Sequence, residues 1–411
     1  MNFTLVIFLL VYLAMGVGHL PGFKLDRTGA AVVGAMVLLA LGYLSPQAAW
    51  NAIDYNTIGL LFGLMVVSSA FVVSGFYDRA AEWVGGLQVS PPRLLAILIG
   101  VAGGLSAVLT NDVVVVAMTP VLVSITLKRG LNPIPFLLGF CFAANVGSAA
   151  TIIGSPQNMI AAQALNISFT GFMKVSALPA LLGLPLIWLT IALLYRGKWE
   201  HTQSPSNTAA PSTEIIPFDR TETIKATVVT LIMVGAFVFS QWPHMLIALA
   251  GAAVLLINRS ISSKDMLSRV DGNLLLLLIG LFIVNQAVAA THLPQHLLTA
   301  LSGFGLHLNE PLSMLAVMSI LSNVVGNNPA VMLVAPFLDG SVNPEALGAA
   351  IALGTGFSSN MVIFGSLAGI IVAEQGRVHG VAISFMEFTR AGLPVALLCL
   401  ILAVGWIIYL T

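Results

Sequence analysis

The chain has 411 residues, 58% of them hydrophobic and only 8% charged, with 16 basic and 16 acidic side chains that cancel. Soluble domains carry about a quarter charged residues, so a water-soluble globular protein is excluded. Zero net charge without a basic patch argues against nucleic acid, and runs such as 274–284, which do not alternate, argue against a β-barrel.

Apolar segments run over 2–17, 29–44, 57–76, 94–127, 134–163, 175–195, 224–241, 246–257, 274–290, 312–338, 346–373 and 391–410. A span needs ~20 mostly apolar residues, so the predicted fold is an all-α polytopic membrane protein. The first segment lacks the positive n-region of a cleaved signal peptide. Segment 94–127 breaks at Leu109-Thr110-Asn111-Asp112 and segment 312–338 from Leu321 to Pro329; each is predicted to be a re-entrant helical hairpin. Segments 134–163 and 346–373 are interrupted midway, from Asn145 to Asn158 and from Gly354 to Ser366. Gly and Pro at these points release backbone amides and carbonyls from the helix. Between the halves, 196–225 holds the Ser/Thr/Pro/Asn-rich run 202–213 and reads as a flexible linker. Cys141 and Cys399 have neither disulfide nor metal spacing.

The halves repeat each other. Gly34 and Gly251, Asp54 and Asp271, Asn56 and Asn273, and Gly63 and Gly280 are each 217 apart. Asn111 and Asn327, Asp112 and Asn328, and Pro120 and Pro336 are 216 apart, and Gly154-Ser155 precedes Gly365-Ser366 by 211. A near-constant offset through polar and turn residues indicates duplication. Equivalent loops carry opposite basic content: 45–54 has no Lys or Arg where 258–272 has Arg259, Lys264 and Arg269, and Lys128-Arg129 stands where Asp339 and Glu345 follow the second hairpin. Cytoplasmic loops are the basic ones, so the repeats are predicted to be inverted. Each comprises five transmembrane helices plus one hairpin, over 1–195 and 226–411, with both termini outside and the 196–225 linker cytoplasmic. Of the basic residues only Lys174 then lies away from the cytoplasm.

Polar backbone survives in a bilayer only where it is buried in protein or lines a wet cavity, and broken helices at matched places point to a midplane binding site. The candidate substrate-binding residues are Thr110 and Asn111 at the first tip and Ser322, Asn323, Asn327 and Asn328 at the second. In the interrupted segments they are Asn145, Ser148, Ser155, Asn158, Thr355, Ser358 and Ser366. Asp112 is the only charge between Arg93 and Lys128. An intramembrane carboxylate is a functional candidate by default, which makes Asp112 the expected proton-coupling residue; capping a hairpin helix is its structural alternative. Ionised, it would repel a multiply anionic substrate. Gly103-Gly104, Ser106 and Ser124 read as helix-packing positions. Asn285 and Gln286 either line the cavity or bond a neighbouring helix, and His292 and His296 read as surface histidines. Trp50, Trp83, Trp242 and Trp406 read as interfacial anchors. Nucleotide-binding and zinc-protease motifs are absent, so no cofactor or metal is expected and the chain is read as a transporter, not an enzyme.

At these residues the chain resembles, over nearly its whole length, the ion transporter superfamily of citrate-transporter-like permeases. Thr110-Asn111-Asp112 looks like the first hairpin-tip motif, Ser322-Asn323 with Asn327-Asn328-Pro329 like its partner, and Gly154-Ser155-Pro156-Gln157-Asn158 and Gly365-Ser366-Leu367-Ala368 like the helix breaks. The resemblance implies a scaffold part and a transport part, a homodimer in the bilayer, and substrate carried between the hairpin tips by an elevator-like displacement. The first tip, the Asn-Asn-Pro run and Gly365–Ala368 are similar to the arsenite/antimonite efflux permeases. That implies export of arsenite in exchange for protons and a cytoplasmic ATPase subunit as a partner. Gly154–Asn158 departs from that subfamily toward generic anion permeases, so a Na+- or H+-coupled carrier of dicarboxylate, citrate or sulfate is the alternative, and an ion channel the alternative of another class.

Overall fold

The computed structural model describes residues 3–200, 216–291, 303, 307–338 and 343–411. These contain helices and no β-strand; the only strand-like pairings among them are the isolated bridges His19–Asp26 and Leu131–Glu200. Asp339, His292, His296 and the run 202–213 lie outside the described residues.

Helices start where the sequence supplies a cap. Asp26, Asp54, Asp219 and Asp271 each accept a hydrogen bond from a first-turn amide, at the starts of α2 (Arg27–Ala40), α4 (Tyr55–Val73), α11 (Arg220–Phe239) and α14 (Gly272–Ala289). In a chain with so few charges, several acids therefore serve helix ends, each cap contributing about 1 kcal/mol. Seven helices among the described residues are long and apolar enough to cross a membrane. Large apolar side chains such as Leu231 and Phe239 are exposed on their outer surface, as are Trp50, Trp83 and Trp242, whereas Trp406 is partly buried and donates to the Val175 carbonyl at 2.6 Å.

One group of helices comprises α1 (Phe3–Val17), α2, α4, α11, α12 (His244–Leu256) and α14. Small residues bring its backbones together. A Cβ on Gly63 would collide with the backbone of Ala248, and one on Gly280 with that of Ala31. Adding 217 to Gly63 and Ala31 gives Gly280 and Ala248, so α4 meets α12 as α14 meets α2. Thr28 Oγ1 donates to the Asn273 carbonyl, which sets the starts of α2 and α14 side by side. The end of α4 meets the start of α11 through Asp219 N donating to Ser74 O at 2.9 Å. Lys225 Nζ in turn donates to Ile257 O, at the end of α12. The short α13 (Ser263–Leu267) then leads into α14. α4 therefore ends on the face where α2 and α14 begin, here called face A. α11 starts at Arg220, inside the stretch read as linker, and Ile216 N is docked on Asp78 Oδ2 of α5 (Phe76–Gly86), so that end of the stretch is fastened rather than free.

The second group holds both hairpins. α6 (Pro91–Val108) and α7 (Asn111–Lys128) are separated only by Leu109 and Thr110. Arg129, just past α7, donates to the carbonyls of Gly85, Leu87 and Val89, just before α6. Both arms consequently open on face A. α8 (Pro133–Ser148) runs parallel to α6: Gly139 sits against Leu95 and Ile99, Gly147 against Gly103. A 3-10 turn at Ile152–Gly154 interrupts it before α9 (Pro156–Ala164), and α10 (Phe169–Leu194) returns to face A. The second hairpin is α15 (Pro311–Val325), Gly326, then α16 (Asn327–Val334). α17 (Pro344–Ser358) runs parallel to α15, with Gly354 on Leu315 and Ser358 on Ser322. After a turn at Ile363–Gly365 come α18 (Leu367–Val378) and α19 (Phe385–Leu410). Tyr195, at the end of α10, donates to Glu387 at the start of α19, so α19 begins on face A and the second hairpin opens on the opposite face, B.

Candidate functional site

The two tips and the two helix breaks meet in the interior. Asn145 Nδ2 donates at 3.0 Å to both Asn360 Oδ1 and Ser366 Oγ, tying α8 to the break between α17 and α18. Asn158 Nδ2 bridges the carbonyls of Ser148 and Thr151 at 2.9 and 2.8 Å, and Thr151 Oγ1 donates to Ala107 O in the last turn of α6. Around the other break Ser322 Oγ lies 3.0 Å from Ser358 Oγ, and Asn323 Nδ2 donates to Ser319 O and Ser358 O. Asn327 Nδ2 donates to Ser359 Oγ at 2.9 Å. Carbonyls freed by the breaks thus find side-chain donors, as buried backbone demands.

Five of the candidate residues line one cavity of about 600 Å³: Asn111 and Asp112 from the first tip, Asn327 and Asn328 from the second, and Ser366 at the start of α18. Gln157, in the first turn of α9, lines it too. Both tips and the starts of both half-helices therefore face one space. Asn111 is 5% exposed, and its Oδ1, like that of Asn328, has no hydrogen-bond partner among the described residues. The cavity extends to face A, past Asp26, Arg27 and Thr28 and past Asp271 and Asn273. Asp26 and Asp271 are already caps, and Arg27 is the only cation among the described lining residues.

The remaining candidates do not line it. Thr110 is buried with its hydroxyl 3.3 Å from Ser68 Oγ; Ser148 donates to Asn145 O; Thr355 donates to Ile351 O and Ala352 O; the Ser155 hydroxyl is buried with no partner among the described residues. With Asn145, Asn158, Ser322, Asn323 and Ser358 they form the polar packing behind the cavity. The helix boundaries also correct the expected unwinding: α15 runs through Ser322 and Asn323, and Gly326 alone separates it from α16. Asn323 sits in an intact helix because its amide bonds the carbonyl four residues back. Asn285 turns out to bond neighbours, accepting from Tyr12 OH at 3.0 Å and donating to Met332 O, while Gln286 is exposed. Sequence reasoning missed Arg27, Asp271, Asn273 and Gln157 as lining residues. The first three sit at helix starts that tertiary packing carries to the site.

A second cavity, of about 440 Å³, lies toward face B between the start of α4, the start of α12 and the end of α9. Its lining Asn56, Leu60, Pro243, His244 and Met245 are the 217-offset counterparts of Asn273, Leu277, Asp26, Arg27 and Thr28 in the first, and Met159 that of Ile370 at 211. No tip residue reaches it among the described residues.

Residues 10–349 match the CitMHS family model, described as citrate transporter. A transporter of Mycobacterium tuberculosis named as uncharacterized is 30% identical over 403 residues, covering 92% of this chain and 93% of that protein. The silicon efflux transporter LSI3 of Oryza sativa subsp. japonica is 24% identical, with 91% and 90% covered. Among solved structures, MtrF of Neisseria gonorrhoeae, presented as one of a class of antimetabolite efflux pumps, aligns with a TM-score of 0.59 at 13% identity over 99% of this chain and 94% of that one.

Proposed function

The chain belongs to the CitMHS citrate transporter family and is a membrane transporter; we propose that it is a secondary carrier working by alternating access between two inverted halves. One observation carries this reading: both hairpin tips and the starts of both half-helices converge on one cavity that extends to face A. Oppositely opening hairpins, and a second cavity built from offset-matched residues on the other face, support the inversion. A carrier of this kind alternates which cavity reaches the tips, by an elevator-like shift of the hairpin group against the first group. Face A, bearing Lys128, Arg129, Arg196 and Lys225, is the cytoplasmic side by the positive-inside rule.

The substrate we propose is a small neutral hydroxylated solute, arsenite or antimonite first, exported in exchange for protons taken up at Asp112. The lining favours this: tip amides offer donors and acceptors, and three acids face a single arginine. Efflux is also the direction ascribed to LSI3 and to the pump class of MtrF. Arg27 supports the second reading, a carrier of a small singly charged anion. Purified protein in liposomes with an imposed pH gradient tests both. Saturable, proton-linked counterflow of arsenite is expected; counterflow only with citrate or sulfate overturns the metalloid assignment, and non-saturating conductance overturns the carrier.

A further inference from the structure

Away from the transport cavity, a separate hollow of about 300 Å³ lies at face A, where α8 begins, α10 ends and α19 begins. Lys198 and Arg390 line it, and neither makes an ion pair with any described residue. The backbone under Lys198 is held in place: Asn132 Nδ2 donates to Lys198 O at 3.3 Å and Asn132 N donates to Trp199 O at 2.8 Å. Glu387 also faces the hollow, but Tyr195 OH already donates to its Oε1 at 3.2 Å. Two cations against one carboxylate leave one positive charge, which matches the single negative charge of a phosphodiester. Beside the hollow, Met386 is 70% and Leu193 62% exposed, in two 26-residue apolar helices whose outer surfaces face lipid. An ion from bulk water has no use for such an apolar flank, whereas acyl chains do.

We propose that this hollow binds the headgroup phosphate of an anionic phospholipid between Lys198 and Arg390, with its chains along Leu193 and Met386. Basic pockets between membrane helices on the cytoplasmic side take anionic headgroups in this manner. The site lies outside the transport cavity, so it stands whichever solute is carried.

The test is thermal unfolding and native mass spectrometry of the purified full chain in detergent. Phosphatidylglycerol should raise the melting temperature and give one-lipid adducts that phosphatidylcholine does not. The double variant Lys198→Gln/Arg390→Gln should weaken phosphatidylglycerol binding about thirtyfold, each basic group contributing about a factor of five. If that variant fails to fold, Glu387→Gln keeps the proposal testable, since removing the competing carboxylate should tighten binding. An equal response to phosphatidylcholine, an undiminished response in the double variant, weaker binding by Glu387→Gln, or a full shift from inorganic phosphate alone would each overturn it.

Discussion

The two hairpin tips are built from matched residues and are fastened differently. Thr110, Asn111 and Asp112 correspond to Gly326, Asn327 and Asn328. At the first tip Thr110 turns the chain with φ −62°, and its side chain hydrogen-bonds the Ser68 hydroxyl. At the second, Gly326 turns it with φ +92°, and Ser322, Asn323 and Asn327 all bond the α17–α18 break. The tip with the acid is held by few side-chain bonds, and the stapled tip has an amide where the acid would be. On the proposed function, this contrast would leave proton handling to the first tip and geometry to the second.

The largest effect expected from breaking that division is Asp112→Asn. Proton-linked flux in liposomes should fall to the leak of empty vesicles while the melting temperature stays nearly unchanged, because the cavity remains lined and no bond of the fold is removed. The exchange Asp112→Asn/Asn328→Asp sharpens the point: an acid on the stapled tip should not restore flux. Restoration would show that the tips are interchangeable.

Next comes the pair Asn323→Ala and Asn111→Ala. Losing Asn323 removes two side-chain hydrogen bonds, to Ser319 O and Ser358 O, and should cost about 1–3 kcal/mol, read as a fall in melting temperature. The Asn111 side chain makes no such hydrogen bond among the described residues, so its truncation should leave stability almost untouched and weaken solute binding instead. Equal stability losses would erase the contrast.

The sequence made the scaffold legible because polar groups in hydrocarbon are costly: Asn, Gly and Pro amid Leu and Val mark where a helix must break. The positions of both hairpins and both interrupted segments follow from that rule. It reads less well inside the site. Asn323 and Asn145 look like breaks, yet a buried amide can be satisfied by a carbonyl one turn back or by another helix. Arg27 looks like a loop charge marking the cytoplasm, and only the packing of α2 on α14 brings it to the cavity. Periodicity along one chain does not register where two helix starts meet.

A smaller effect is expected from Gly326→Ala. At φ +92° and ψ 158° an L side chain is strained, and an added Cβ meets nothing closer than Pro329 at 3.8 Å, so strain alone should cost about 1–2 kcal/mol. Thr110→Gly at the matched place removes no strain and should cost less. If the alanine is harmless, the positive φ at the second tip imposes no demand for glycine, and that part of the contrast falls.

The smallest expected effect lies at the base of the first hairpin, where α5 carries Asp78 outside the spanning helices. Asp78 Oδ2 accepts from Ile216 N at 3.0 Å, so this carboxyl links the hairpin's base to the approach to the second half. Burial pushes Asp78 above the usual carboxylate range, the Ile216 amide pulls it back, Glu82 pushes it up and Arg269 pulls it down, with a net rise. A carboxyl raised by folding favours the native state when protonated. That contribution is complete below the ordinary aspartate value of about 3.9 and is lost as pH climbs through the raised one. At neutral pH the ionised group is therefore a small net burden, limited by its half-exposed position and by solvent screening. Asp78→Asn keeps an oxygen for Ile216 and removes the charge, so it should raise the melting temperature slightly at pH 7, and the gain should vanish as pH approaches 4. A loss of stability at pH 7 would mean that the carboxylate's charge, not its oxygen, holds residue 216, and that the base of the first hairpin is tied more firmly than its tip.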